Sequence, residues 1–206
     1  MQMDFPKEAY KGFIDLFPTK VHKFNIEPHL INKALINIET NKDEFTYKEV
    51  FNHPDYLELQ NYVTRYIEAI APRSERISHW KTVSSWLNNQ PSNSKGFGFH
   101  NHTDAFLSAV LYLKGSEMSL TFRDEAKEAT STNPCHKEFD IIIRHTWNQD
   151  AAISVSVGDL LVFPSHLLHE PNHNQTNENR ISIAYNLMPC RNNHPNTPPW
   201  SMALNL

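Results

Sequence analysis

The chain has 206 residues, a formal net charge of −4 and 39% apolar residues, with an isoelectric point near 6.3. That is enough for one domain with a sizeable core, read as 1–206, and it leaves no basic excess to neutralise a phosphate backbone, so no nucleic-acid partner is expected. No apolar run approaches the roughly 20 residues of a membrane span, and the opening MQMDFPKEAYKG lacks the basic-then-apolar order of a secretory leader, so a cytoplasmic protein without a membrane partner is expected.

A helical part is expected over about 1–72. After a short apolar entry at Phe13, Ile14, Leu16 and Phe17, the residues following Pro28 place Ile31, Ala34, Leu35 and Ile38 at helical spacing, with Pro28 in the first turn. A second helix is predicted from about 54 to 71, where Leu59, Tyr62, Val63, Tyr66, Ile67 and Ile70 recur on one face and Pro72 ends the run. From Trp80 the period changes. Short runs rich in Val, Ile, Thr and aromatics predict strands near 81–87, 105–113, 119–122, 140–144, 152–157, 159–163 and 180–187. Helices followed by strands indicate an α+β, mainly β chain whose β part, about 80–190, closes into a sandwich or barrel. The polar stretches 89–98 and 124–137 read as loops beside the sheet and candidate lids, and 191–206 as an extended Pro-rich tail. Cys135 and Cys190 lack metal-type spacing and read as free thiols.

Twelve histidines are a rich supply for so short a chain, and several lie between His100 and His173. In FHNHTDAFLSAVLYLKG, His100, His102 and Asp104 occupy alternate positions, which on a strand would put all three on one face. A mixed histidine and carboxylate set of this kind suits Fe(II) when coordination positions stay open. A strand continuing without a bulge would carry Phe106, Ser108, Val110 and Tyr112 on that face and a wholly apolar set, Leu107, Ala109, Leu111 and Leu113, on the other. Downstream come His166, His169 and His173, and then a strand with Arg180, Ser182, Ala184 and Asn186 on one face and Ile181, Ile183, Tyr185 and Leu187 on the other. A polar face opposite a continuous apolar one fits a strand lining a cavity that holds an anion.

The order His102-Thr103-Asp104, a distal His169, then Arg180 resembles the HxD...H...R/K signature of Fe(II)/2-oxoglutarate dioxygenases built on a double-stranded β-helix, a jelly-roll or cupin-like fold. More narrowly, DLFPTKV, the run at Trp86, HNHTDAFLSAVLYL, LLVFPSHLLHE and NRISIAYN are similar to the small 2OG-Fe(II) oxygenase group of bacteria and phages. The resemblance implies N-terminal helices flanking the β-helix and a metal triad of His102, Asp104 and His169. It further implies 2-oxoglutarate anchored by Arg180 with help from Ser182 and Tyr112, as suits a planar guanidinium facing a carboxylate. Dioxygen would be the further co-substrate, and hydroxylation coupled to decarboxylation the expected outcome. The chain departs from the group in having Ala109 after Ser108 and a histidine at 166.

Other roles stay open beside these. His100 either supports a ligand from outside the metal's own shell or replaces Asp104 in a His-x-His arrangement, and Asn186, Ser108, Trp86 and Asn88 either face the site or the substrate or belong to core and turns. His166, His173 and His194 read as solvated loop residues, and Arg180 has an alternative partner in Glu178. Two other classes compete with the oxygenase: a cupin-like metalloprotein without 2-oxoglutarate, using His100, His102 and His169, and a metal-free β-sandwich serving protein interaction. The primary substrate and the oligomeric state are named by no spacing in the chain.

Overall fold

The structure, a computed structural model, describes residues 19–40, 50, 54–71, 77–123 and 150–191. The predicted strand at 140–144, the lid candidate 124–137, the apolar entry 13–17 with DLFP, Pro72, Cys135, and tail residues 192–206 with His194 lie outside them. Among the described residues two α-helices and eight strands follow in the order β1 (His22–Asn25), α1 (Pro28–Thr40), α2 (Leu57–Ile70), β2 (Ile77–Gln90), β3 (Leu107–Lys114), β4 (Met118–Arg123), β5 (Ala151–Val155), β6 (Asp159–Pro164), β7 (Leu168–Pro171) and β8 (Arg180–Arg191). Among the described residues no helix is long and apolar enough to cross a membrane.

The strands form a five-stranded sheet, β1-β6-β3-β8-β2, and a three-stranded sheet, β5-β4-β7, with every pairing antiparallel. The period of two along each strand decides what each face of the larger sheet meets. Leu111, Leu160, Val162, Ile183, Tyr185 and Leu187 point outward and are buried beneath the helices, against Ile31, Ala34, Leu59, Val63 and Ile67. In α2 the buried residues Leu59, Val63 and Ile67 recur every four positions, the stripe its sequence predicts. A second cluster, Tyr112, Met118, Leu120, Phe122, Val155, Leu161, Phe163 and Leu167, fills the space between the two sheets. Each such buried side chain removes enough apolar surface to contribute about 1.5–3 kcal/mol.

The expected mainly β class with N-terminal helices matches this architecture, and the differences are local. Strands β2 and β8 outrun their expected ranges because they pair along their full length, from Ile77↔Arg191 to Gln90↔Arg180. Pro189 is tolerated inside β8 because β3 pairs only as far as Leu187, leaving that side of the strand open. Strand β2 therefore takes Asn89 and Gln90 from the expected loop. The first residues of the predicted strand at 105–113 belong instead to a turn, and β3 begins at Leu107. Strands β1 and β7, of four residues each, are too short to show alternation and were not anticipated.

Candidate metal centre and co-substrate site

Register places the site. On the inner face of the larger sheet, β8 lies between β2 and β3, so Asn88, Ser182 and Tyr112 form one row, Trp86, Ala184 and Val110 the next, and Ser84, Asn186 and Ser108 a third. These rows, Ser84 apart, together with Phe163 of β6 beside Ser108, form the wall of a cavity of about 330 Å³ closed on the other side by Met118, Leu120 and His169. That volume lies in the range of small-molecule sites.

Three histidines converge at one end. His100, His102 and His169 each offer a ligand atom, all within 4.8 Å of one another. His169 comes from the short strand β7, and the chain before β3 is stitched across it: the His100 N–H donates to the His169 carbonyl at 3.1 Å and the His169 N–H to the His100 carbonyl at 2.9 Å. His102 is held next, its N–H donating to the Ser165 carbonyl at 2.9 Å. Every ring is engaged at Nδ1: His100 with the Gly98 carbonyl at 2.9 Å, His169 with the Leu167 carbonyl at 2.9 Å, and His102 with the Asn186 amide at 3.1 Å. A carbonyl only accepts, so His100 and His169 carry their proton on Nδ1 and keep the Nε2 lone pair free. Trp86 stacks on His102 at 5.4 Å and Phe163 meets His169 edge-on at 4.7 Å. Burial, reinforced by the neighbouring histidines, holds the His169 ring down to about 4. Burial and then His100 lower His102 too. Both rings are thus kept neutral near neutral pH, the form that ligates a metal.

Asp104 stands apart from this group. It is exposed, in a turn with Thr103, and belongs to no set of converging ligand atoms. The physical reason is the backbone: alternation on one face requires an extended chain through 104, and the chain turns at 103–104 instead. Its charge still reaches His102, partly opposing the lowering of that ring. His166 and His173 are exposed, and neither joins the cluster.

At the other end of the cavity is Arg180, only 6% exposed. Its Nη1 donates to the Asn172 carbonyl at 3.1 Å and to Asn172 Oδ1 at 2.9 Å, and its Nη2 to the Glu117 carbonyl at 3.0 Å. Nε has no partner among the described residues, and the buried hydroxyl of Tyr112 also has none. Among the described residues no carboxylate pairs with this guanidinium; Glu178, the alternative partner, accepts from Ser116 instead. Burial lowers Arg180 from its ordinary value and raises the Tyr112 phenol well above its own, so a cation and a neutral hydroxyl share the pocket. Gly115 makes room: a Cβ there would stand 2.8 Å from the Arg180 Cγ, and its φ of +131° suits only glycine.

Sequence reasoning missed Asn172, Ser165 and Phe97. Asn172 is a keystone, because Oδ1 accepts from Arg180 and from the Ser119 N–H at 2.8 Å while Nδ2 donates to the Glu117 carbonyl at 2.9 Å. Ser165 is fully buried beside Ser108. Phe97, 69% exposed, lines the cavity mouth. All three sit in polar or glycine-rich segments with no period, so no signal marked them.

Three converging imidazoles suit iron, zinc, copper or nickel without choosing among them, and a buried cation beside a hydroxyl without a partner among the described residues suits a carboxylate. No curated protein is significantly similar in sequence. Among solved structures, the non-heme alpha ketoglutarate dependent carbocyclase SnoK from nogalamycin biosynthesis is 12% identical, with 82% of this chain and 80% of that chain covered at a TM-score of 0.59. HygX from Streptomyces hygroscopicus with iron bound is 13% identical, with 82% of each chain covered at a TM-score of 0.54. A Pseudomonas putida prolyl-4-hydroxylase is 14% identical, with 82% of this chain and 86% of that chain covered at a TM-score of 0.51. At these identities the shared property is the fold, the double-stranded β-helix. The family described as "Putative 2OG-Fe(II) oxygenase" matches residues 84–186, half of the chain, from the middle of β2 through both histidine segments to Asn186. This chain belongs to that 2OG-Fe(II) oxygenase family of oxidoreductases.

Proposed function

We propose that the cavity binds Fe(II) through His100, His102 and His169 and 2-oxoglutarate through Arg180, and that the chain couples decarboxylation of this co-substrate to oxidation of a second molecule, with hydroxylation as the simplest outcome. The observation that carries the reading is the pairing, in one cavity, of three converging imidazoles with a buried guanidinium and phenol whose Nε and hydroxyl lack partners among the described residues. Iron(II), when bound, supplies open positions for the oxo-acid and dioxygen and the redox chemistry between them.

The protein's own contribution is placement. Carbonyls at Gly98 and Leu167 orient two rings and hold their protons on Nδ1. Asn172 and Glu117 aim the guanidinium, leaving Nε and the Tyr112 hydroxyl to receive the distal carboxylate, with Ser182 in the row beside them. A carboxylate arriving there meets donors already desolvated and oriented, so little reorganisation accompanies binding. Much of the remaining lining, including Trp86, Phe97, Met118 and Leu120, is apolar and favours an uncharged reacting group on the second substrate. Similar folds serve a carbocyclase and a prolyl-4-hydroxylase, so the outcome rests on the substrate's placement rather than on the scaffold.

A second ligand set, His102, Asp104 and His169, draws on the motif order and on the electrostatic reach of Asp104 to His102. Iron titration under anaerobic conditions and succinate formation from 2-oxoglutarate, measured in His100→Ala and Asp104→Ala, separate the two. Loss in His100→Ala with retention in Asp104→Ala is expected, and the reverse pattern assigns the carboxylate. The cupin-like reading gains only if 2-oxoglutarate fails to raise the Tm of the iron-loaded protein and Arg180→Ala leaves that response unchanged.

A further inference from the structure

The three rings differ in one respect. His100 and His169 face carbonyls, which fix the proton on Nδ1, whereas His102 Nδ1 lies 3.1 Å from the Asn186 amide nitrogen, a group that only donates. In that arrangement His102 keeps its proton on Nε2 and cannot ligate an ion there. Behind Asn186 the chain of hydrogen bonds continues: its Oδ1 is 2.9 Å from Ser108 Oγ, which is 3.0 Å from Ser165 Oγ. Ser108 has a single hydrogen and faces an amide oxygen that only accepts, so that hydrogen goes to Asn186 and Ser165 donates to Ser108. All members are buried, with Ser165 0%, Ser108 2% and Asn186 3% exposed, so water does not interrupt the sequence.

We propose that Asn186, backed by Ser108 and Ser165, is a positioning residue for His102 whose amide turns over when a metal ion binds. Turned by half a rotation about its last bond, Asn186 presents Oδ1 to a proton on His102 Nδ1 and donates from Nδ2 to Ser108, which donates in turn to Ser165. Every bond between these four residues is kept and every direction reverses. The proton count is unchanged, because His102 only exchanges one neutral tautomer for the other. Reversal takes from the Ser165 hydroxyl hydrogen the acceptor it had in Ser108, so the donating sense is favoured until an ion engages Nε2. The inference rests on the metal-centre part of the proposed function and needs neither 2-oxoglutarate nor turnover.

Zn(II) is the probe, with the full chain labelled at its histidine nitrogens. Long-range proton–nitrogen correlation should show His102 as the Nε2–H tautomer without metal and as the Nδ1–H tautomer with Zn(II), while His100 and His169 stay Nδ1–H throughout. Asn186→Asp, nearly isosteric and an acceptor only, should hold His102 protonated at Nδ1 before metal is added and bind Zn(II) at least as tightly as the unaltered chain. Asn186→Ala should weaken Zn(II) binding roughly 10- to 100-fold, the usual cost of losing such an outer partner. Two outcomes overturn the proposal: His102 retaining the same tautomer in both states, or Asn186→Ala binding Zn(II) with unchanged affinity while its circular dichroism shows it folded. If Zn(II) binding and the tautomer exchange follow expectation but iron-loaded protein makes no succinate, the positioning role stands and the oxygenase reading fails.

Discussion

The two faces of the five-stranded sheet are made by the same strands, in alternate residues, yet they meet opposite demands. Outward, Ala109, Leu111, Leu113, Ile183, Tyr185 and Leu187 pack beneath two helices. Inward, Ser108, Tyr112, Arg180, Ser182 and Asn186 face a cavity. The outer face contributes stability by removing apolar surface from water, whereas the inner face buries polar groups, two atoms of which have no partner among the described residues. A buried polar atom without a partner costs about 1–3 kcal/mol, and the outer face supplies the excess that sustains it. Stability and ligand binding are thus separated by one residue step along each strand.

Substitutions on the two faces should therefore fail in different ways. The largest effect is expected for His169→Ala: iron affinity should fall more than the roughly 10- to 100-fold caused by loss of an outer partner, with far-UV circular dichroism retained. Ile183→Ala, one residue from the Ser182 row but fully buried outside, should destabilise by about 2–5 kcal/mol in chemical denaturation and leave the iron affinity of the folded protein unchanged. Equal losses of metal binding in both variants would erase the distinction between the faces. Arg180→Lys keeps the charge but not the fork, and 2-oxoglutarate affinity measured by calorimetry should drop by about 1.5–3 kcal/mol.

Smaller effects sharpen the same contrast. Tyr112→Phe removes a hydroxyl without a partner, so the ligand-free protein should be as stable as before or slightly more so, while 2-oxoglutarate affinity falls by about 0.5–1.5 kcal/mol. A Tm that drops in this variant would mean that the hydroxyl is satisfied internally. pH acts on the inner face as well. His169 takes its proton at about 4 when folded and at the ordinary 6.5 when unfolded, so between these values the unfolded chain binds more protons. The stability from burying the neutral ring is present above about 6.5 and is lost as pH falls toward about 4, by at most about 1.36 kcal/mol per pH unit for one proton. Denaturation midpoints across that range check the sign.

Much of this was readable before any coordinates because periodicity is local. The stripe of α2 and the two-faced pattern of β3 and β8 are written in side chains three, four or two positions apart, and burial follows directly. Arg180, Ser182 and Tyr112 were placed on the correct faces by this rule alone. It failed at Asp104, where alternation was extended through residues that turn, and it is silent at His169, whose strand β7 has four residues and which motif order alone picked out.

The sequence by itself determined the helix-then-strand order, the inner and outer sets of each long strand, and the residue types able to hold a metal and an anion, since each depends on neighbours along the chain. Only the tertiary structure decided which histidines converge, that Asn172 and Glu117 aim the arginine, and that Ser165, Ser108 and Asn186 join behind His102. Those relations link residues dozens of positions apart through register and backbone stitching, and no local pattern encodes a distance between strands.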